Sequence, residues 1–255
     1  MNDPHANLYK GLEWIGKTGF DFVDLTVEPT QNMPSDIDVP RAKRILKKYD
    51  LGVVGHMGDW MLPKDSGYKS LRDASKKEII SALRVLKRLG AKKVTLHSPT
   101  VQVRDYEVSR KRHTDLVKAV LAEARKHKIE LMLENNSDYL DDPRNGRMLH
   151  HMLRKFPSLK LHIDVGHANV GVKTNETYKL MRRYGKRVRH VHFSDNFGED
   201  DAHLKLGAGS IKWERIIKFL KNKGYDDTIT VEVFRSGLAG EAESLRKLRR
   251  WWEKY

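Results

Sequence analysis

The 255-residue chain contains no cysteine. Disulfides, thiolate metal sites and cysteine nucleophiles are therefore excluded, and the absence is consistent with a reducing compartment. The sequence also lacks any apolar run near the roughly 20 residues that cross a membrane. Its first residues, "MNDPHANLYKG", do not have the basic and apolar regions of a signal peptide. We therefore expect a cytoplasmic protein with no membrane partner.

Seven short runs rich in β-branched residues alternate with segments of helical period. Buried parallel strands have this composition, and repeated strand–helix units are typical of a doubly wound sheet or a (β/α)8 barrel. The predicted strands span residues 20–27, 51–56, 92–97, 129–134, 159–164, 187–193 and 228–234. The helical period is clearest over residues 78–89, 115–127, 211–223 and 241–252. No linker divides the chain, so we predict a single α/β domain over residues 1–255.

A barrel built from these elements would lack a recognisable first strand. The chain opens with Asp3-Pro4, a favourable helix start, and an apolar face follows through Leu8, Leu12 and Ile15. Only residues 1–4 remain as the vestige of a strand, so we predict a first strand that is missing or degenerate. The exposed strand edges would then need cover from a loop, water or another chain, and a homo-oligomer is one solution.

Six successive predicted strands each carry a histidine, aspartate or glutamate at or near their last residue. These residues are His56, His97, Glu134, Asp164, His192 and Glu232. A single polar residue at a strand end is usually structural, but Ser, Thr, Asn, Lys or Arg would serve equally well there and do not occur. Since α/β folds place their chemistry at the carboxyl ends of strands, the set predicts a metal site with nitrogen and oxygen ligands. His190 lies one layer deeper on the strand face of His192, and we interpret it as a hydrogen-bonded core histidine.

Two loops contribute further candidate ligands. The segment "HIDVGHA" places His167 three residues after the end of its strand, a spacing that lets both side chains face one ion. The segment "DDAH" places Asp201 and His203 on a loop that can fold back over the strand ends.

In its motifs the sequence resembles the xylose isomerase-like barrels, also called AP endonuclease family 2, over nearly its whole length. The resemblance rests on "GHMGDW", "LHSP", "LENN", "HIDVGHA", "HVHFSDN", "DDAHLKLGAG" and "TVEVF". It implies a TIM (β/α)8-type barrel. That family includes metal-dependent sugar isomerases and epimerases, inosose dehydratase-like enzymes and endonuclease IV.

The resemblance also implies two sets of metal ligands. In the sugar epimerases one divalent ion is held by a Glu, an Asp, a His and a second Glu, which by motif fall on Glu134, Asp164, His192 and Glu232. In endonuclease IV three zinc ions take nine ligands, which by motif fall on His56, His97, Glu134, Asp164, His167, His192, Asp201, His203 and Glu232. All nine positions carry the matching residue type. We therefore expect a manganese or zinc cofactor of one or more ions.

From this resemblance we expect a metal-dependent isomerase or epimerase of a sugar or sugar phosphate that transfers an α-proton through an enediolate. Glu134 and Glu232 would exchange the proton, and His167 would hydrogen-bond the substrate or bind metal. Trp60 and Asn136 are candidate contacts for the carbohydrate. The alternative is an endonuclease IV-like AP endonuclease that hydrolyses DNA phosphodiesters with a multinuclear zinc site.

The distribution of charge favours the carbohydrate. The formal net charge of +15, from 49 Lys+Arg against 34 Asp+Glu, raises the expectation of nucleic-acid binding. The loops after the predicted strands, however, are net acidic. The basic runs "KRILKK", "RVLKRLGAKK", "EARKHK", "RRYGKRVR", "KFLKNK" and "RKLRRWW" all lie in the C-terminal halves of predicted helices. Cations at these positions also stabilise the helix dipole. Because the loops at the strand ends are acidic and the basic runs lie elsewhere, we expect a small-molecule substrate rather than specific DNA binding.

Overall fold

The computed structural model describes residues 1–2, 6–28, 32–59, 61–137 and 143–255. In these ranges the chain forms seven β-strands and eight α-helices that alternate along the sequence. The strands are β1 (Phe22–Val27), β2 (Gly52–Met57), β3 (Lys93–His97), β4 (Glu130–Glu134), β5 (Lys160–Asp164), β6 (Val188–Phe193) and β7 (Thr228–Val231). The helices are α1 (Leu8–Thr18), α2 (Val39–Lys48), α3 (Lys69–Leu89), α4 (Tyr106–Lys126), α5 (Pro143–Lys155), α6 (Thr177–Tyr184), α7 (Trp213–Asn222) and α8 (Gly237–Lys254).

The seven strands form one sheet in the order β1 to β7. Strand β1 pairs in parallel with β2, β2 with β3, β5 with β6, and β6 with β7. Parallel neighbours need a crossover connection, and the helices between successive strands supply it. The strands are largely buried, which explains why they are runs of apolar residues rather than alternating ones.

The chain divides into two compact units, which are described separately below. The first unit contains Met1–Leu133 and Arg144–Leu159, and the second contains Glu134–Pro143 and Lys160–Tyr255. The prediction of a single domain over residues 1–255 stays a prediction.

Asn2 lies beside β1 and forms hydrogen bonds with its backbone, as a neighbouring strand would. Its backbone N–H donates to the Asp24 carbonyl at 3.2 Å, and its Oδ1 accepts from the Thr26 N–H at 2.7 Å. Asn2 is itself buried. No strand precedes β1 in the described part of the chain, as predicted, and one asparagine satisfies two backbone groups of the β1 edge.

Helix α1 begins later than the sequence suggested. Its first residue is Leu8, and the side chain of Asn7 accepts from the Lys10 N–H as the N-terminal cap. The predicted start at Asp3-Pro4 lies outside the described residues. The predicted apolar face is confirmed, because Leu8, Leu12 and Ile15 are buried.

Basic residues occupy the last turns of the helices, as the sequence predicted. They include Lys47 and Lys48, Lys87 and Arg88, Arg125 and Lys126, Arg154 and Lys155, and Arg182 and Arg183. These cations face the partial negative charge of each helix C-terminus. Among the described helices none has both the length and the apolarity to cross a membrane.

Candidate metal centre

Four predicted ligands of the second unit converge on one point. Glu134 ends β4, Asp164 ends β5, His192 lies in β6, and Glu232 directly follows β7. All four are buried. The Nδ1 atom of His192 lies 2.8 Å from Glu232 Oε2, 3.6 Å from Glu134 Oε1 and 3.6 Å from Asp164 Oδ2. Three carboxylate oxygens from different strand ends thus surround one imidazole nitrogen.

The register of the sheet produces this convergence. Asp164 and His192 are paired residues of β5 and β6, and the Glu232 N–H donates to the Phe193 carbonyl at 3.0 Å. Beside them, the Asn135 amide binds the Asp164 backbone in both directions, with its Nδ2 donating to the carbonyl at 2.9 Å and its Oδ1 accepting from the N–H at 3.0 Å. The fully buried Asn135 is therefore a structural residue that fixes the position of Asp164.

His167 lies on a short 3-10 turn, His167–Asn169, close to this cluster. Its Nδ1 is 2.8 Å from the Asn135 carbonyl oxygen, which can only accept, so Nδ1 carries a proton. Its Nε2 is 2.9 Å from Asp201 Oδ2, and the same oxygen lies 3.1 Å from His203 Nε2. The loop containing Asp201 and His203 therefore folds back toward His167, as predicted.

Asp195 organises that loop. Its buried carboxylate accepts hydrogen bonds from four donors of the chain that follows, which are the N–H groups of Asn196, Gly207 and Ile211 and the Nε1–H of Trp213. An antiparallel bridge between Asp195 and Leu204 closes the loop. A Cβ at Gly209 would overlap Asp195 Oδ1, so only glycine fits there. His203 has a φ of 45°, an uncommon conformation for a residue with a side chain, which the closed loop maintains.

Two further histidines lie in the same strands. His190 Nδ1 is 2.6 Å from Thr228 Oγ1 and its Nε2 is 3.1 Å from Thr230 Oγ1, which confirms a hydrogen-bonded core histidine. His162 was missed by the sequence analysis, although it lies two residues before a predicted ligand on the same strand face. Its Nδ1 is 3.5 Å from Glu134 Oε2.

The charges of the cluster shift its pKa values in opposite directions. Burial acts to raise the pKa of Asp164, but the charge of His167 and a contact with His192 outweigh it and hold that pKa below its usual range. Burial acts to lower the pKa of His167, but the carboxylates of Asp164 and Asp201 outweigh it and hold that pKa well above its ordinary value. A protonated histidine therefore balances part of the negative charge, and a bound cation would compete with that proton.

The donor set of the second unit fits a divalent cation. Asp164 Oδ2 is buried and has no hydrogen-bond partner among the described residues. The same holds for His203 Nδ1, which lies 3.9 Å from Glu232 Oε2. The groups Glu134–Asp164–His167 and His167–Asp201–His203 each place their ligand atoms within 4.8 Å of one another. Carboxylate oxygens and imidazole nitrogens suit zinc and manganese alike, so the chemistry of the donors fits both.

In the first unit the structure brings His56 and His97 together. Their Nε2 atoms are 3.4 Å apart. Asp59 Oδ1 lies 2.9 Å from His97 Nδ1 and accepts from the His97 N–H at 3.1 Å, and its Oδ2 pairs with the buried Lys64. Asp59 and Lys64 were missed by the sequence analysis, although Asp59 belongs to the "GHMGDW" motif. They orient His97 with Nε2 toward His56.

The two predicted substrate contacts both stay predictions. Trp60 lies outside the described residues. Asn136 is half-buried directly after Asn135 and Glu134. Its contact with a carbohydrate stays a prediction.

Comparison with known proteins gives a family and two curated relatives. A family model described as "Xylose isomerase-like TIM barrel" matches residues 12–255. The protein MJ1311 of Methanocaldococcus jannaschii is 39% identical over 75 residues, which is 29% of this chain and only 26% of that protein. The protein MJ1614 of the same organism is 26% identical over 223 residues, or 86% of this chain and 84% of that protein. Both relatives are described as uncharacterized.

Solved structures extend the comparison to the three-dimensional fold. A D-tagatose 3-epimerase-like protein has a TM-score of 0.82 at 22% identity and covers 97% of this chain and 94% of its own. The D-psicose 3-epimerase from Clostridium cellulolyticum, solved with D-tagatose, has a TM-score of 0.76 at 17% identity with the same coverage. The TTHB071 protein from Thermus thermophilus, soaked with ZnCl2, has a TM-score of 0.70 at 22% identity and covers 91% of this chain and 88% of its own. At these identities the likeness establishes the fold, and the predicted TIM-type fold class is confirmed.

Proposed function

Because the chain belongs to the xylose isomerase-like TIM barrel family, we propose that it is a divalent-metal-dependent isomerase or epimerase of a sugar or sugar phosphate. One observation carries the proposal: three carboxylate oxygens, from Glu134, Asp164 and Glu232, surround Nδ1 of His192. Structural neighbours that are described as sugar epimerases support it.

Glu134, Asp164, His192 and Glu232 would hold the ion. When bound, a divalent ion acts as a Lewis acid toward a carbonyl oxygen and makes the adjacent C–H more acidic. The three carboxylates would neutralise its charge, and Asn135 would keep Asp164 in place through its two hydrogen bonds. His167 and the Asp201–His203 loop would complete the site and limit the access of water.

The two glutamates would perform the proton transfer. One of Glu134 and Glu232 removes the α-proton of the substrate, and the other returns a proton to the resulting enediolate. A pair of bases on different strand ends suits this exchange, because each can reach a different face of a planar intermediate. His167, whose protonated Nδ1 binds the Asn135 carbonyl, would use Nε2 toward a substrate oxygen. Asn136 and Trp60 remain the proposed contacts for the sugar.

The proposal is tested by exchange of substrate protons with solvent. In D2O, with manganese or zinc supplied, the protein is expected to incorporate deuterium at the α-carbon of some ketose or ketose phosphate in a panel read by NMR. Glu134→Gln and Glu232→Gln keep size but remove basicity, and each should lower exchange at least 100-fold at saturating metal. Asp200→Asn is the matched control, because Asp200 is exposed and its side chain pairs only with Arg235 at 3.5 Å among the described residues.

Metal content, measured on the same samples, separates the roles of the glutamates. A Gln variant that retains the ion and loses exchange identifies a base, whereas one that loses both identifies a ligand. Full activity in either variant would remove that glutamate from the mechanism.

An endonuclease IV-like activity is the second candidate, and two observations favour it. His167, Asp201 and His203 form a further group of potential ligands in the second unit, and His56 and His97 form a pair in the first. The acidic loops after the strands argue against a duplex at the same site. We expect no efficient incision of an abasic duplex at physiological salt with zinc or manganese. Efficient incision that disappears in Asp201→Ala or His203→Ala would place the endonuclease first.

A further inference from the structure

Helices α1 and α2 of the first unit border a cleft of about 680 Å³ that the proposed chemistry does not use. Five basic residues line it, namely Lys10, Lys17, Arg41, Arg44 and Lys48. All five are exposed. Two aromatic residues, Tyr9 and Trp14, also line the cleft, and Glu13 is its single acidic residue.

The positive charge of this cleft is largely uncompensated. Glu13 is occupied by Lys48, at 3.1 Å, and by the hydroxyl of Tyr49, at 2.5 Å. The other four basic side chains have no carboxylate within ion-pair distance in the described part of the chain. An anion entering the cleft would therefore meet four cations that are not held in ion pairs with carboxylates of the described residues.

In a second basic cleft of the same unit, carboxylates of the protein pair with several of the basic residues. This cleft has a volume of about 560 Å³ and is bordered by residues of α3 and α4. There Lys69 and Lys76 both pair with Asp73, at 2.5 and 3.2 Å, and Arg112 pairs with the buried Asp65 at 3.3 Å. Basic residues are abundant in both clefts, but in the second cleft carboxylates of the protein itself neutralise much of their charge.

The spacing of the basic residues suits a chain of phosphates rather than one phosphate. Lys10 and Lys17 are seven residues apart on α1, and Arg41 and Lys48 are seven residues apart on α2. At 1.5 Å per residue each row is about 10 Å long. A single strand carries one phosphate per nucleotide, so a row of this length can contact more than one phosphate of the same strand. Since all five cations are exposed, the cleft offers no buried charge to select a small anion.

The aromatic residues favour a ligand with bases. The Arg41 guanidinium lies 4.0 Å from the centre of the Tyr9 ring, and the Tyr9 hydroxyl accepts from the Asp38 N–H at 2.8 Å, which fixes the ring. Trp14 is half-buried with its ring 5.9 Å from that of Phe20. Sites for single-stranded nucleic acid combine a basic groove with aromatic side chains on which bases stack.

We propose that the cleft between α1 and α2 binds the backbone of a single-stranded nucleic acid, without sequence preference. The site shares no residue with the candidate metal centre and does not depend on the proposed isomerase activity.

Binding is measured by fluorescence anisotropy of a labelled 12-nucleotide oligodeoxythymidine. With four phosphate contacts, affinity should fall about 50-fold between 50 and 200 mM salt. The double variant K10E/R44E should weaken binding at least tenfold at 50 mM salt. The double variant K43E/K47E is the matched control, because Lys43 and Lys47 are exposed on α2, outside the cleft, and the change in net charge is the same. It should weaken binding less than threefold.

Competitors identify the chemistry of the ligand. Trp14→Leu should weaken oligonucleotide binding at least fivefold but change the inhibition constant of inorganic polyphosphate less than twofold. Equal loss for both ligands, or displacement by polyglutamate at the same concentration of charge, would overturn the nucleic-acid assignment. So would equal weakening in the two double variants, or no binding by the wild-type protein at 50 mM salt. Glu134→Gln should bind the oligonucleotide like wild type, so failure of the isomerase proposal leaves this test intact.

Discussion

The two compact units bury carboxylates but neutralise them differently. In the first unit Asp59 pairs with the buried Lys64 and with His97. In the described part of the second unit, the ion-pair partners of Asp164, Asp201 and Glu232 are all histidines. A lysine retains its charge at neutral pH, so the first arrangement is complete by itself. A histidine can release its proton and become a neutral ligand, so the second arrangement can exchange protons for a metal ion.

The largest loss of stability is expected from breaking the buried pair of Asp59 and Lys64 in the first unit. Asp59→Asn leaves Lys64 buried without its carboxylate, and we expect a loss of about 3–5 kcal/mol in the free energy of unfolding, measured with urea. Asp73→Asn is the control, because its pairs with Lys69 and Lys76 are exposed, and exposed ion pairs contribute little to stability. Similar losses in both variants would contradict the distinction.

The corresponding change in the second unit should have its larger effect when metal is present. In EDTA, Asp164→Asn is expected to lose less stability than Asp59→Asn, because it removes the ionised carboxylate that His167 and His192 stabilise but also relieves repulsion from the neighbouring carboxylates. In wild type, manganese or zinc at 100 times its Kd should add about 2.7 kcal/mol to the free energy of unfolding, and Asp164→Asn should lose that gain. A variant that is destabilised in EDTA as strongly as Asp59→Asn would show that Asp164 is an ordinary structural residue.

The stability of the loop that contains Asp201 and His203 should depend on the carboxylate of Asp195. Asp195→Asn replaces one carboxylate oxygen by an amino group. Each oxygen accepts from two donors, for example Oδ2 from Gly207 N–H and Trp213 Nε1–H, so we expect a loss of about 2 kcal/mol in the free energy of unfolding. Asp200→Asn, on the exposed part of the same loop, should change stability less than about 0.5 kcal/mol. An equal effect of both substitutions would show that Asp195 does not organise the loop.

The smallest expected effect is the change in the free energy of unfolding with pH, and it should have opposite signs in the two units. Burial lowers the pKa of His113, in α4 of the first unit, to about 4. Below pH 6.5 the unfolded chain takes up a proton at this position and the folded chain does not, so stability falls as the pH drops toward 4. We expect His113 to account for about 1 kcal/mol of the loss between pH 7 and 5.5, and His113→Gln to remove that part.

His167 in the second unit should behave in the opposite way. Its pKa is raised well above the ordinary value, so its contribution to stability is complete below about pH 6.5 and is lost as the pH rises through the folded-state pKa. In metal-free protein, His167→Gln should therefore remove stability mainly at neutral and lower pH. If His113→Gln and His167→Gln shifted the pH dependence in the same direction, the contrast between the units would fail.

The strand pattern was predictable to within a few residues, whereas several helix starts were not. The run predicted over 129–134 forms Glu130–Glu134, because a buried strand needs a continuous apolar run with turns at both ends. Helix α3 begins at Lys69, nine residues before its predicted start at Glu78. Its first turns are largely exposed, so they have little of the apolar periodicity that reveals a helix.

The metal ligands were predictable because parallel strands have a fixed direction. Once the strands are recognised, their carboxyl ends lie on one edge, and Glu134, Asp164 and His192 follow from position alone. The supporting residues were not predictable in this way. Asp59 with Lys64 and Asn135 with the Asp164 backbone depend on which polar groups meet after folding, and nothing in the local sequence separates them from ordinary loop residues.

The sequence by itself determined the alternation of strands and helices, the absence of thiol chemistry and the types of ligand available. These depend on local periodicity and on residue chemistry, which need no knowledge of distant contacts. Only the tertiary structure decided which carboxylates are paired with a lysine, which face histidines, and which basic residues of α1 and α2 remain without a carboxylate partner in the described part of the chain. Electrostatic energy depends on distance and burial, and both are set by residues that are far apart along the chain.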